Sequence, residues 1–216
     1  MDRHAIEKAG QVVKKYKTRD PDELIDLRNI LLIQTDRFKD LLGYYVIYLR
    51  KDIIGINTRA NPVLQRSAKG HELGHYFLER SEARSGANFR DTFFYSVSTA
   101  KSEMSANTFA AELLLSDEMV LEPMHYHVFE EMQNKWKEHL PARCSAEYRM
   151  LAYNELLQEF YLHTEPTTVD SIARACDVDA NLVDFKLRIL AEKGYDLPKL
   201  PEVRSDFFRD SLKQGR

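Results

Sequence analysis

The chain has 216 residues, of which 44% are hydrophobic and 30% charged, and its formal net charge is −3. This length and apolar content suffice for one sizeable domain or two small ones, each with a hydrophobic core. The near-neutral charge argues against a strongly basic nucleic-acid binder, and 11% aromatic residues argue against a disordered chain.

The chain shows no pattern of an exported or membrane-bound protein. Its two cysteines, Cys144 and Cys176, are too few and too far apart to predict a disulfide framework. The first residues are charged throughout, and no apolar stretch approaches the roughly 20 residues that a membrane helix needs. We therefore expect a cytoplasmic protein that does not bind membranes.

The first part of the chain reads as two helices followed by a hairpin. An amphipathic pattern predicts a helix up to about Tyr16, and Asp20-Pro21 predicts the start of a short helix that ends near Asn29. Two runs rich in β-formers, 44–49 and 52–57, lie on either side of Arg50-Lys51 and predict a β-hairpin with a tight turn there.

The rest of the chain reads as helical. Asn61-Pro62 predicts a helix that continues to about Glu79, and a further helix is predicted over 101–115. Helices interrupted by prolines follow to the end of the sequence. This order predicts an α+β fold, with a small antiparallel sheet packed on the 62–79 helix. We expect a domain over residues 1–120 and a helical region over 121–216.

The segment His71-Glu72-Leu73-Gly74-His75 carries the clearest chemistry. Residues four apart share one face of a helix, so His71 and His75 can direct imidazole nitrogens at one ion. Glu72 lies beside them, where its carboxylate can act as general base on a water activated by zinc. The pattern H-E-x-x-H on a helix predicts a metallopeptidase, although two histidines on a surface helix would give the same letters.

A catalytic zinc site needs a third protein ligand and one open position. The downstream candidates are Glu79, Glu82, Glu103, Glu112, His125 and His127. Glu79 is expected to point away from the ion, whereas Glu103 begins a helix with small and apolar residues on the same side. Glu103 could instead be a first-turn acid that stabilises its helix. Asn107, one turn later, could hold the outer nitrogen of His71 or His75.

Together, two segments resemble the ImmA/IrrE family of bacterial and phage zinc metallopeptidases. The first is His71-Glu72-Leu73-Gly74-His75, and the second is the run 103–115, EMSANTFAAELLL, which matches the family pattern E-x-x-A-N-x-F-A-x-x-L-L. Ser116 departs from the pattern, because the family commonly has proline close to this position. The resemblance implies a zincin-like core, zinc ligands at His71, His75 and Glu103, and Glu72 as the catalytic general base.

The resemblance also implies a function and a partner. Members of the family are metalloendopeptidases that cleave a helix-turn-helix repressor and so derepress phage, mobile-element or stress genes. We expect this activity and a protein substrate of that class, with Zn²⁺ as cofactor, although Mn²⁺ or Fe²⁺ would suit the same ligands. The alternative is a non-catalytic DNA- or repressor-binding regulator in which the metal is structural. The sequence carries no signal for the oligomeric state.

Other patterns leave alternatives open. The segment 169–190 has the rhythm of a helix-turn-helix, but acids at the start of its second helix argue against direct DNA binding. The preferred alternative is a packing or substrate-docking module. The candidates for stabilising the oxyanion of the reaction are His125, His127, Tyr76 and Tyr95, and no spacing rule selects among them. The run 93–95 could form a wall of the cleft or part of the core.

Overall fold

The computed structural model describes residues 2–38, 41–85, 100–141, 144–164 and 167–200, with the backbone alone over 81–85. The helices are α1 (Arg3–Tyr16), α2 (Pro21–Leu27), α3 (Pro62–Ser85), α4 (Ala100–Leu114), α5 (Asp117–Leu121), α6 (Tyr126–His139), α7 (Ala146–His163), α8 (Val169–Ala175) and α9 (Ala180–Glu192). The strands are β1 (Leu31–Thr35), β2 (Gly43–Tyr48) and β3 (Lys51–Asn57). The predicted α+β class is confirmed. Among the described residues, no helix combines the length and apolarity that crossing a membrane requires.

Helix α2 begins where Asp20-Pro21 predicted its start. Asp20 accepts hydrogen bonds from the backbone of α2, and Pro21 occupies the first helical position. Helix α1 ends at Tyr16 as expected, because Lys17 adopts a left-handed conformation with φ of 56°. Helix α2 ends at Leu27, two residues before the predicted end.

The predicted hairpin is present, with its turn displaced by one residue. Tyr48 lies opposite Lys51 in the antiparallel pair of β2 and β3, so Leu49 and Arg50 form the turn rather than Arg50 and Lys51. Both turn residues have positive φ, 47° and 64°, which gives the twist that a two-residue hairpin turn needs.

The sheet is mixed, which corrects the antiparallel prediction. Sequence analysis missed β1, which pairs in parallel with β3, with Leu31 opposite Ile53. Because the strand order is β1-β3-β2, the last strand of the hairpin lies at the centre of the described sheet. Within the described sheet, β2 is therefore the edge strand that packs beside α3.

One hydrophobic core joins the sheet to helices from both ends of the chain. It contains Ile54 and Ile56 of β3, Leu73 and Tyr76 of α3, and Phe109 of α4, all nearly inaccessible to solvent. The same cluster includes residues of α1 and α2 and of the C-terminal helices α8 and α9. The predicted boundary near residue 120 stays a prediction, but α8 and α9 pack in the core that supports α3.

Helices α6 and α7 form a smaller cluster of their own. Its buried residues are Phe129, Leu156 and Phe160. Several large apolar side chains of α7 are exposed, among them Met150, Leu151 and Leu162. This pair of helices therefore contributes little to the core around α3.

Candidate active site

Helix α3 presents two histidines on one face. Its start is fixed by Asn61, whose Oδ1 accepts a hydrogen bond from the backbone N–H of Leu64 at 2.8 Å. One turn apart, His71 and His75 direct their Nε2 atoms toward each other across 3.1 Å. The sequence prediction that both imidazoles can reach one ion agrees with this geometry.

Glu103 of α4 reaches the same point. Its Oε2 lies 3.2 Å from Nε2 of His71, and its Oε1 lies 3.5 Å from Nε2 of His75. The candidate ligand atoms of the three residues all lie within 4.8 Å of one another. Of the downstream candidates that the structure describes, Glu103 is the one that joins the two histidines.

A glycine allows α4 to come this close to α3. A Cβ added at Gly74 would lie 2.8 Å from Cα and 2.9 Å from the carbonyl oxygen of Ala106, closer than real Cβ atoms approach a backbone. Gly74 lies between the two histidines in sequence, and Ala106 lies one turn after Glu103. The absence of a side chain at residue 74 thus permits the helix contact that brings Glu103 to the histidines.

Hydrogen bonds hold the outer nitrogen of each imidazole. Nδ1 of His71 lies 2.8 Å from Oδ1 of Asn107, as the sequence suggested. Nδ1 of His75 lies 3.1 Å from Oε1 of Glu79, which itself accepts a hydrogen bond from the hydroxyl of Ser102. Glu79 is not one of the three converging residues, in agreement with the prediction, but sequence analysis missed its role as an acceptor for His75. The i,i+4 spacing of His75 and Glu79 was the signal for it.

This arrangement fits a divalent metal ion. An amide oxygen and a carboxylate lie beside the two outer nitrogens and can accept hydrogen bonds from neutral imidazoles, and both Nε2 atoms then present lone pairs to the same point. Two lone pairs 3.1 Å apart beside a carboxylate repel one another unless a proton or a metal ion lies among them. Two imidazoles and one carboxylate form the donor set of catalytic zinc sites that keep one open position.

Glu72 lies buried beside the histidines. Burial raises the pKa of its carboxyl group, and the nearby imidazoles of His71 and His75 partly oppose that shift. Burial lowers the pKa of His71, but its hydrogen bond to Glu103 and the charge of Glu72 outweigh burial and leave that pKa raised. A Cβ at Gly43 would lie 3.1 Å from Oε1 of Glu72, so this glycine leaves room for the carboxylate. Sequence analysis did not find Gly43.

The site opens into a cleft of about 690 Å³. The cleft contains His71, Glu72, His75 and Glu103, and three other parts of the chain line it: the segment at the start of β2, the face of α3 before His71 and the first turns of α9. A cavity of this volume accommodates several residues of a peptide.

Comparison with known proteins agrees with this geometry. The family model of peptidase M78, described as the IrrE N-terminal-like domain, matches residues 30–154, more than half of the chain. The chain belongs to the peptidase M78 family. A family of metallopeptidases implies a divalent metal, usually zinc, and the matched region contains all four residues His71, Glu72, His75 and Glu103.

Two curated relatives carry names related to this family. The chain is 37% identical over 111 residues to "Uncharacterized immunity region protein 2" of Bacillus phage phi105, which is 51% of this chain and 67% of that protein. It is 31% identical over 125 residues to "Metallopeptidase ImmA" of Bacillus subtilis (strain 168), which is 55% of this chain and 68% of that protein. No solved structure matches the chain. The resemblance to the ImmA/IrrE family is thereby confirmed.

The remaining candidate ligands and oxyanion-stabilising residues of this M78 chain either do not line the cleft or lie outside the described residues. The hydroxyl of Tyr76 accepts hydrogen bonds from Arg28, and this side chain is nearly fully buried in the core. His125 precedes the first residue of α6, and neither it nor His127 is among the described residues that line the cleft. Tyr95, the run 93–95 and the side chain of Glu82 lie outside the described residues.

Glu112 and Ser116 have structural surroundings. Glu112 accepts a hydrogen bond from the ammonium group of Lys186 at 2.7 Å. Ser116, at the departure from the family pattern, caps α5 by accepting a hydrogen bond from the backbone of Met119. Neither residue is among the three donor side chains that converge.

Proposed function

We propose that this protein is a zinc-dependent endopeptidase with a zincin-like active site, in which His71, His75 and Glu103 bind the metal and Glu72 is the general base. The observation that carries the proposal is the convergence of the three donor side chains on one point of an open cleft, with Glu72 buried beside them. The M78 family supports peptidase chemistry at this point.

His71, His75 and Glu103 would hold the zinc ion, which would supply a Lewis acid for the peptide carbonyl and lower the pKa of a nucleophilic water. Glu72 accepts the proton of that water and then delivers it to the leaving amine. Its burial assists this exchange, because the raised pKa increases the affinity of its carboxylate for a proton. Asn107 and Glu79 keep the two imidazoles in the orientation that directs Nε2 into the cleft.

The edge of β2 is the proposed site for the peptide backbone. β2 is an edge strand of the described sheet, and its first residues, Gly43, Tyr44 and Tyr45, line the cleft that contains Glu72. An extended peptide can add to such an edge through main-chain hydrogen bonds. This pairing would bring a peptide carbonyl beside the metal ligands without requiring a particular side chain.

The proposed substrate is a helix-turn-helix repressor whose cleavage derepresses phage, mobile-element or stress genes. Two relatives named for an immunity region and as metallopeptidase ImmA, together with the two motifs of the ImmA/IrrE family, support this class of substrate. The cleft does not by itself select a repressor. Candidate substrates for an assay are the helix-turn-helix proteins encoded beside the gene of this chain.

The deciding experiment compares the protein with its Glu72→Gln variant. Both are loaded with zinc, their metal content is measured, and each is incubated with a candidate repressor while fragments are followed by mass spectrometry. We expect equal zinc content and a loss of cleavage by a factor of about 10² to 10⁴ in the variant. Undiminished cleavage by a zinc-loaded Glu72→Gln variant would overturn the mechanism.

A second experiment tests the ligands and the alternative function. Glu103→Ala should lower zinc affinity strongly, and unchanged affinity would remove Glu103 from the ligand set. A non-catalytic regulator would bind the repressor in a fixed ratio without forming fragments in either the parent protein or the Glu72→Gln variant. Fragments that appear only with intact Glu72 exclude that alternative.

A further inference from the structure

The start of α9 forms one wall of the cleft. The cavity that contains the candidate metal ligands is also lined by the N-cap residue of α9, Asp179, and by three residues of its first turns, Asn181, Leu182 and Phe185. They lie beyond residue 154, where the match to the family model ends. In a helix-turn-helix protein, the first residues of the second helix contact the bases of DNA. Here the corresponding residues face the cleft.

Contacts at both ends of the first two turns of α9 attach this wall to the rest of the fold. The backbone N–H of Asp179 donates to Oγ of Ser67 on α3 at 2.9 Å, and Nη1 of Arg66 donates to the carbonyl oxygen of Cys176 at 2.7 Å. One residue after Phe185, the fully buried ammonium group of Lys186 pairs with carboxylates of α4 and α5. The start of α9 is therefore held at a defined distance from α3.

The floor opposite this wall is mostly apolar. Leu64 and Ala68 line the cavity on the face of α3 that continues, at helical spacing, to His71 and His75. Ser67 also lines it, and its hydroxyl accepts the hydrogen bond from Asp179. Leu64 and Leu182 are mostly buried, and Phe185 is half-buried. The cleft thus has a polar end that holds the candidate metal ligands and an apolar end between α3 and α9.

The helix geometry gives the distance between the two ends. With a rise of 1.5 Å per residue, Ala68 lies about 5 Å and Leu64 about 10 Å before His71 along α3. An extended peptide advances by about 3.3 Å per residue. A peptide that follows this face of α3 from the metal ligands therefore reaches the apolar end at its second or third residue.

We infer that Leu64, Leu182 and Phe185 form an apolar subsite of the peptidase, which accepts an apolar side chain of the substrate two or three residues from the scissile bond. The inference rests on the proposed endopeptidase function. It gives α9 the role of a specificity-determining wall and assigns the preferred substrate chemistry, an extended segment with an aliphatic or aromatic side chain at that distance.

The test measures binding, so that it does not depend on turnover. The probes are two series of peptide hydroxamates. In one series the peptide precedes the metal-binding group, and in the other it follows that group. Each series carries leucine, alanine or aspartate at the second or third residue. Their affinities for the zinc-loaded protein are measured by calorimetry. We expect one series to prefer leucine over aspartate by about tenfold or more at one of these positions, because burying the leucine side chain removes apolar surface from water.

Variants of α9 locate the preference. Phe185→Ala should reduce the leucine preference to less than a fifth of its value, and Phe185→Leu should retain most of it. Leu187→Ala is the matched control, because Leu187 packs against the core from the same helix but is not among the described residues that line the cleft. The unfolding midpoint and the leucine preference are measured for both alanine variants. This comparison separates a loss of folding from a loss of the subsite.

The outcomes distinguish the subsite from the proposed function. A leucine preference that Phe185→Ala leaves unchanged, no preference in either series, or no hydroxamate binding would overturn the inference. In a companion experiment, peptides from a digested proteome are incubated with the protein and its Glu72→Gln variant. Absence of cuts specific to intact Glu72 would reject the endopeptidase, even if the leucine preference held. Such cuts without an apolar preference would reject only the subsite.

Discussion

Substituting alanine for Gly74 tests whether the contact between α3 and α4 builds the metal site. The new Cβ would lie 2.8 Å from Cα of Ala106, about 0.6 Å inside the 3.4 Å at which ordinary contacts begin. The obstructing atoms are backbone, so no side chain can rotate away and α4 must shift. Overpacking of this kind costs about 1–3 kcal/mol. Alanine also favours a helix over glycine by about 0.5–1 kcal/mol, which offsets part of that cost.

Two other glycines in helices separate these effects. A Cβ at Gly10, on the exposed face of α1, would meet nothing within 4 Å, so Gly10→Ala should stabilise the protein by about 0.5–1 kcal/mol through propensity alone. A Cβ at Gly70 would lie 2.7 Å from Cδ1 and 3.1 Å from Cγ of Leu114, a fully buried side chain that can shift more readily than the backbone of Ala106. We expect the free energies of unfolding to rank Gly10→Ala highest, Gly70→Ala next and Gly74→Ala lowest.

The assay is urea unfolding of the three variants without metal, followed by zinc titration. Gly74→Ala should be about 1–3 kcal/mol less stable than Gly10→Ala. It should also bind zinc more weakly, because the shift of α4 moves Glu103 away from the histidines and binding geometry tolerates about 0.5 Å. Equal stability of Gly74→Ala and Gly10→Ala, with unchanged zinc affinity, would refute the argument that residue 74 sets the position of Glu103.

Three further predictions concern charged groups. Lys186→Met should cost about 1–3 kcal/mol in urea unfolding, because it removes a fully buried ammonium group from Glu112 and Asp117, which keep Lys193 as a partner. Lys193→Met, at the partly exposed lysine of the same cluster, should cost under about 1 kcal/mol, and equal costs would contradict the difference in burial. Burial raises the pKa of Asp117, but its hydrogen bonds to Lys186 and Lys193 outweigh burial and lower that pKa below the ordinary value of 3.8, so its contribution to stability is complete above this value and is lost as pH falls below it. Unfolding midpoints measured from pH 6 to pH 3 should therefore fall more steeply for the parent protein than for Asp117→Asn. Parallel curves would show that ionised Asp117 does not contribute to the pH dependence of stability. Glu79→Ala should weaken zinc binding about 10- to 100-fold, while Glu79→Gln, which keeps an acceptor for His75, should weaken it less; equal effects would mean that charge alone matters.

Local chemistry accounts for what the sequence predicted correctly. Helix starts at Asp20 and Asn61 follow from side-chain caps that satisfy free backbone N–H groups within two or three residues. The pairing of His71 with His75 follows from helical spacing, and the resemblance of two short segments to known peptidases supplied Glu103. The sequence could name these residues because each choice depends on residues close together in the chain or on a motif.

The predictions that failed concern partners distant in the chain. β1 forms a strand because it pairs in parallel with β3, about 20 residues away, and its residues show no alternation strong enough to reveal that neighbour. The strand that sequence analysis missed also places β3 at the centre of the described sheet, so that β2 is the edge strand beside the cleft. The turn of the hairpin moved by one residue because the register of the strand pair fixed it at Leu49 and Arg50.

The sequence by itself thus determined the family, the helix that carries the histidines and the identity of the residues that converge on the proposed metal. Only the tertiary structure decided how they converge. The close approach of Gly74 to Ala106 brings Glu103 to the histidines, Gly43 leaves room for Glu72, and α9 closes the cleft with Phe185. Each of these is a contact between elements far apart in the chain, and such contacts depend on how the whole core packs rather than on any local pattern.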